Sequence, residues 1–129
     1  MTEKKKFELE YMMNTSVRVL YNMLSTPSGL AEWFADDVNI RGDVFTFIWD
    51  GEEEKARLLG KRMGEFVRFQ WVEQTEEKTF FEFRISEDPL TGEVALLITD
   101  FAADDEMEDA RMLWNQHVGF LRQTIGSQV

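Results

Sequence analysis

The stretch Asp104-Asp105-Glu106-Met107-Glu108-Asp109-Ala110-Arg111-Met112-Leu113-Trp114-Asn115-Gln116-His117-Val118-Gly119-Phe120-Leu121-Arg122-Gln123-Thr124-Ile125 decides the fold. A stripe through Met107, Ala110, Leu113, Trp114, His117, Phe120, Leu121 and Ile125 repeats at helical period and predicts one long helix with a broad apolar face. The carboxylates Asp104, Asp105, Glu106, Glu108 and Asp109 crowd its start, where they complement the positive end of the helix dipole. Arg122 near its end fits the same dipole, and Gly126 is a plausible stop. Residues 41–101 read instead as short alternating strands joined by tight turns. A long helix after an antiparallel meander must bury its stripe against one face of the sheet. A strongly curved sheet wrapped around that helix can leave a pocket between the layers, and the readable function lies there.

Working back toward the start, Phe7, Leu9, Tyr11 and Met13 alternate with Lys6, Glu8, Glu10 and Met12, which predicts a half-buried strand. Asn14-Thr15-Ser16 offers N-caps to a helix with Val17, Leu20, Tyr21 and Leu24 on its apolar face. Ser25-Thr26-Pro27 ends it and opens a second, short helix, with Thr26 as cap and Pro27 at the first helical position. Leu30, Trp33 and Phe34 sit at helical spacing; Trp33 and Phe34 either cover the pocket mouth or fix this helix against the sheet, the second being the preferred reading, and Asp36-Asp37 breaks the helix. Strands are predicted from Gly42 to Trp49, Ala56 to Arg62, Val67 to Trp71, Phe81 to Ile85 and Val94 to Ile98. Asp50-Gly51, Gly64-Glu65 and Asp88-Pro89-Leu90-Thr91-Gly92 are the turns, and Glu73 to Lys78 is a loop. The order is strand, two short helices, five or six strands, long helix: an α+β chain, expected to form one domain over residues 1–129.

Composition narrows the function. With no cysteine, disulfides, thiolate metal sites and cysteine nucleophiles are excluded. The single histidine, His117, rules out a multi-histidine metal site within one chain. The acidic run at 104–109 lacks the spacing and turn glycine of a calcium loop, so no metal or other cofactor is expected. A net charge of -11 argues against nucleic acid and against anionic membranes; it keeps a small protein soluble, or matches a basic partner. Lys4-Lys5-Lys6 leads into Phe7-Glu8-Leu9-Glu10 rather than an apolar run, so no signal peptide is expected. No stretch approaches the roughly 20 apolar residues of a membrane span, and a cytoplasmic location is expected.

Four stretches together resemble the START-like, or helix-grip (SRPBCC), superfamily, nearest the branch related to the activator of the heat-shock chaperone ATPase. They are Thr15-Ser16-Val17 to Leu24; Thr26-Pro27-Ser28-Gly29-Leu30-Ala31-Glu32-Trp33-Phe34; Gly42-Asp43-Val44-Phe45 with Asp50-Gly51 and Gly60; and Leu113-Trp114 with Leu121. One departure is Lys61-Arg62-Met63-Gly64-Glu65, which lacks the proline-rich turn usual in that branch. The resemblance implies a curved antiparallel sheet of about six or seven strands gripping the C-terminal helix. It also implies a cavity between them that in many members holds a lipid, sterol, polyketide or other apolar molecule. Some members are cyclases or aromatases, and others bind a protein partner.

The inward sheet face carries Phe45, Phe47, Trp49, Phe69, Trp71, Phe81 and Phe83. Such rings either fill a core or line a ligand cavity. His117 either contacts a polar ligand group or is a core-edge histidine with one hydrogen bond. Glu52-Glu53-Glu54 reads as a solvated loop, and no acidic residue occupies an evident inward strand position. The reading adopted is a non-catalytic domain binding an apolar or amphipathic small molecule through Phe47, Trp49, Phe69, Trp71, Phe83, Trp114 and His117, with no catalytic residue assigned. The alternatives are a protein-interaction domain with a filled core and an acidic outer surface, or a cyclase- or hydrolase-type enzyme.

Overall fold

The computed structural model of the chain describes residues 3–73 and 78–126. The alternation near the start becomes strand β1 (Lys4–Met13). Helix α1 (Val17–Ser25) begins where Ser16 Oγ accepts the Val19 N–H. Thr26 closes α1 by donating its N–H to the Asn22 carbonyl, and opens α2 (Pro27–Trp33) by accepting the Gly29 N–H on its hydroxyl. Pro27 sits in the first turn, where a missing N–H costs nothing. Six strands follow: β2 (Asp37–Arg41), β3 (Val44–Trp49), β4 (Glu52–Arg62), β5 (Phe66–Trp71), β6 (Phe81–Glu87) and β7 (Val94–Ala103). β7 runs directly into a 3-10 turn (Asp104–Glu106) and then the 20-residue helix α3 (Met107–Gly126).

The strands form one curved antiparallel sheet in the order β1-β7-β6-β5-β4-β3-β2, and α3 packs across its concave face. This is the helix-grip architecture expected from the sequence. Leu59 is an extra residue between the paired Leu58 and Gly60, a bulge that bends β4. At the β3–β4 turn, Asp50 and Gly51 both take positive φ, 51° and 80°, as a two-residue hairpin loop requires. The concave face buries Phe45, Phe47, Phe69, Phe81 and Phe83, with Leu20, Leu24, Leu30 and Leu121 packed on them from the helices. Each such side chain contributes about 1.5–3 kcal/mol by leaving water. On the convex face Glu82 is buried and accepts hydrogen bonds from Arg68 (2.8 Å) and Arg84 (3.2 Å). Burial pushes its carboxyl up, but the bonds from Arg84 and Arg68 prevail and hold it below the usual range.

Four local readings change. Asp36-Asp37 does not simply break a helix: Asp37 starts β2, a strand with Val38 as its one buried residue, too short and polar to show period two. Glu52-Glu53-Glu54 is the first part of β4, paired opposite Trp49, Ile48 and Phe47, not a loop. β7 continues past Ile98 to Ala103. On α3 the buried residues are Trp114, Val118, Leu121 and Ile125, while Leu113 and Phe120 are 53% and 46% exposed. The sheet meets only one edge of the broad stripe; the other edge borders open space. In the predicted loop from Glu73 to Lys78, residues 74–77 lie outside the described residues.

Candidate ligand cavity

The open space beside α3 is a cavity of about 330 Å³ between helix and sheet. Trp49 of β3, Glu54 of β4, Trp71 of β5 and Asp100 of β7 form its sheet side. Ala110, Leu113, Trp114 and His117 of α3 form the helix side, and Phe34, just after α2, closes one end. A neighbouring recess of about 400 Å³ shares Phe34, Trp49 and His117 and continues along α2 to Phe120.

Strand periodicity places the two sheet indoles. Trp49 continues the inward row Phe45–Phe47, and Trp71 continues Val67–Phe69, so each stands beyond a buried phenylalanine. Their ring centroids are 6.2 Å apart, with planes inclined by 58°. Trp49 Nε1 donates to the Phe34 carbonyl at 2.7 Å, which ties β3 to the end of α2. Phe34 in turn stacks on Trp114, 5.6 Å apart and 9° from parallel. Trp33 is buried and donates its Nε1–H to the Met23 carbonyl, fixing α2 against α1.

Three polar side chains face this apolar wall. Asp100 lies on the inward side of β7, in phase with Val94, Leu96 and Ile98, and pairs across β1 with Phe7. It accepts the Trp114 Nε1–H at 2.9 Å and the Phe101 N–H at 2.8 Å. Burial pushes its carboxyl above the usual range, partly opposed by the bond from Trp114, the Phe101 N–H and the charge of Lys4. Burial pushes the His117 imidazole down, against the opposing hydrogen bond to the Trp33 backbone, so the ring is neutral at pH 7. Its Nδ1 is buried without a partner among the described residues. Glu54 stands at the rim and is exposed. Among the described residues no group of three or more His, Asp or Glu is placed to hold a metal ion. No helix among the described residues is long and apolar enough to cross a membrane.

Of the seven residues singled out from sequence, Trp49, Trp71, Trp114 and His117 meet around this cavity. Phe47, Phe69 and Phe83 are fully buried beneath it, in the packed floor. Phe34, Glu54, Asp100, Ala110 and Leu113 line the cavity without having been singled out. The expectation of no inward acid is therefore corrected by Asp100. Extending the Val94–Leu96–Ile98 alternation by one step reaches Asp100, and that is the signal that finds it. The pairing of Glu54 opposite the inward Phe47 likewise places it on the cavity side, a register that sequence alone does not fix.

Comparison with known proteins gives a family match over nearly the whole chain. A family model described as a START-like superfamily domain matches residues 1–127. The solution structure of BfR322 from Bacteroides fragilis is 40% identical, covers 96% of this chain and 92% of that one, and superposes with a TM-score of 0.69. The Aha1 dimer from Colwellia psychrerythraea is 16% identical over 94% of this chain and 96% of that one, at a TM-score of 0.79. MLL2253 from Mesorhizobium loti is 15% identical over 97% and 99%, also at 0.79. The last two likenesses are of fold alone. Comparison with curated proteins finds none that matches.

Proposed function

The chain belongs to the START-like superfamily, and from that premise we propose that it is a non-catalytic binding domain for an apolar or amphipathic small molecule, held between the sheet and α3. One observation carries this reading: Trp49, Trp71, Trp114 and Phe34 surround a single space of about 330 Å³ with only Glu54, Asp100 and His117 as polar side chains. A largely apolar concavity with a few convergent polar groups is the usual form of a small-molecule site. The rings supply contact area, and the free Nδ1 of neutral His117 accepts a hydrogen bond from the guest. A filled-core protein-interaction domain has less support, because the aromatic layer closes at Phe47, Phe69 and Phe83 but stays open at Trp49 and Trp71.

The test is native mass spectrometry of the protein from its own source, followed by denaturing extraction and titration of whatever is released. Trp71→Ala is expected to cost about 1–2 kcal/mol of stability, since the ring is half-buried, yet about a hundredfold in affinity, roughly 3 kcal/mol. Proportional loss of binding and folding would sink the reading. So would a bare mass combined with no uptake of sterol, fatty-acid or aromatic probes.

A further inference from the structure

We propose that the cavity selects an organic cation, a quaternary ammonium or protonated amine bearing an apolar substituent, recognised by Trp49, Trp71 and Trp114 together with Glu54 and Asp100. The inference deepens the binding reading above and rests on it.

The charge of the lining points this way first. Among its residues are two carboxylates and no Lys or Arg. A neutral guest would strip water from the exposed Glu54 and leave the buried Asp100 uncompensated, whereas a cation offsets both. An anionic guest would add repulsion. Lys55 and Lys4 lie in an outer recess that shares Glu54 and Trp71 with the cavity, and Lys4 acts on Asp100 through its charge without lining the cavity.

The rings point the same way. Indole faces carry the strongest negative quadrupole among the side chains, and cations are held over them. Trp49 and Trp71 line the cavity with ring centroids 6.2 Å apart and planes inclined by 58°, and Trp114, stacked on Phe34, lines it from α3. The N–H groups of Trp49 and Trp114 are already committed to the Phe34 carbonyl and the Asp100 carboxylate. Donation to a carboxylate polarises the Trp114 ring further toward a negative face. The cation–π contacts seen among the described residues use Phe80, Phe66, Phe7 and Tyr11, all outside the cavity. His117 Nδ1 adds an acceptor suited to an ammonium N–H or a hydroxyl on the guest.

The experiment isolates charge from shape. Choline and its neutral carbon isostere, 3,3-dimethylbutan-1-ol, are titrated into the full chain at millimolar concentration and followed by amide NMR shifts. Choline is expected to bind at least about tenfold more tightly. Glu54→Gln, at an exposed position, should weaken choline about threefold or more, while the alcohol binds as well as before or slightly more tightly. Trp71→Leu keeps an apolar wall and should erase most of the preference. Equal affinity of the two probes overturns the cation inference while leaving the binding reading standing. Binding of neither probe overturns the cation inference and leaves the binding reading to the mass-spectrometry and probe-uptake test above. A preference for choline that survives both substitutions overturns the assignment of these residues.

Discussion

Replacing Trp114 with Phe tests the bond that joins α3 to β7 at the cavity. The substitution keeps an aromatic ring against Phe34 but removes the Nε1–H that Asp100 Oδ2 accepts at 2.9 Å. A hydrogen bond to a partly buried carboxyl group is worth about 1–3 kcal/mol, and trimming an indole to a phenyl ring in a buried position adds about 1 kcal/mol, so the loss at pH 7 is about 2–4 kcal/mol. The sign with pH follows from Asp100. Its carboxyl is raised by burial, so its contribution to stability is full below the ordinary carboxylate range and is lost as pH rises through the raised value. Without the Trp114 donor that value rises further, and the variant loses more on the same ascent. The gap between wild type and Trp114→Phe should therefore be widest at neutral pH and shrink to the packing part, about 1 kcal/mol, in acid. Urea unfolding followed by far-ultraviolet circular dichroism at pH 3.5 and pH 7 measures both. In a double-mutant cycle with Asp100→Asn the bond should show as coupling at pH 7. The same loss at both pH values, or no coupling, would refute the charged bond as the tie between helix and sheet.

Glu82→Gln removes the charge held between Arg68 and Arg84 and should cost about 1–3 kcal/mol at pH 7, the guanidiniums being partly exposed. Because the Glu82 carboxyl is lowered, its contribution is present above the ordinary carboxylate range and lost as pH falls through the lowered value; the two proteins should converge in acid denaturation curves. Gly29→Ala would place a Cβ 2.4 Å from the Asn22 carbonyl oxygen and 2.8 Å from Met23 Cα, forcing α1 and α2 apart at a cost of about 1–3 kcal/mol. Gly119→Ala, on the exposed face of α3 with nothing within 4 Å, should instead raise the melting temperature, by about 0.5–1 kcal/mol of helix propensity.

The architecture was legible because its elements carry strong local signals. Period two ran through β3, β5 and β6, Ser16 and Thr26 supplied helix caps, and the stripe from Met107 to Ile125 announced α3. The cavity was only partly legible, since its lining depends on where packing stops. Trp49 and Phe47 share one inward row and read alike, yet one meets open space and the other is sealed. Leu113 and Trp114 both belong to the broad stripe, yet the roughly 100° between consecutive helical residues turns Leu113 to its open edge and Trp114 to the sheet. Asp100 was missed because the strand expected from the sequence ended at Ile98, and its inward position is stabilised by hydrogen bonds from Trp114 and Phe101.

The placement of tryptophan gives the molecule an optical property of its own. Three of its four indoles line one cavity, and the fourth, Trp33, is sealed between α1 and α2. Ultraviolet emission from the chain therefore comes mostly from the walls of that space. Trp49 and Trp71 are close enough to exchange excitation, so a guest that quenches one ring draws down the other. Trp33, buried and lining only the adjoining recess, is reached by the guest less directly than the other three. Occupancy can thus be followed on the native chain by its intrinsic fluorescence, with no dye, label or substitution.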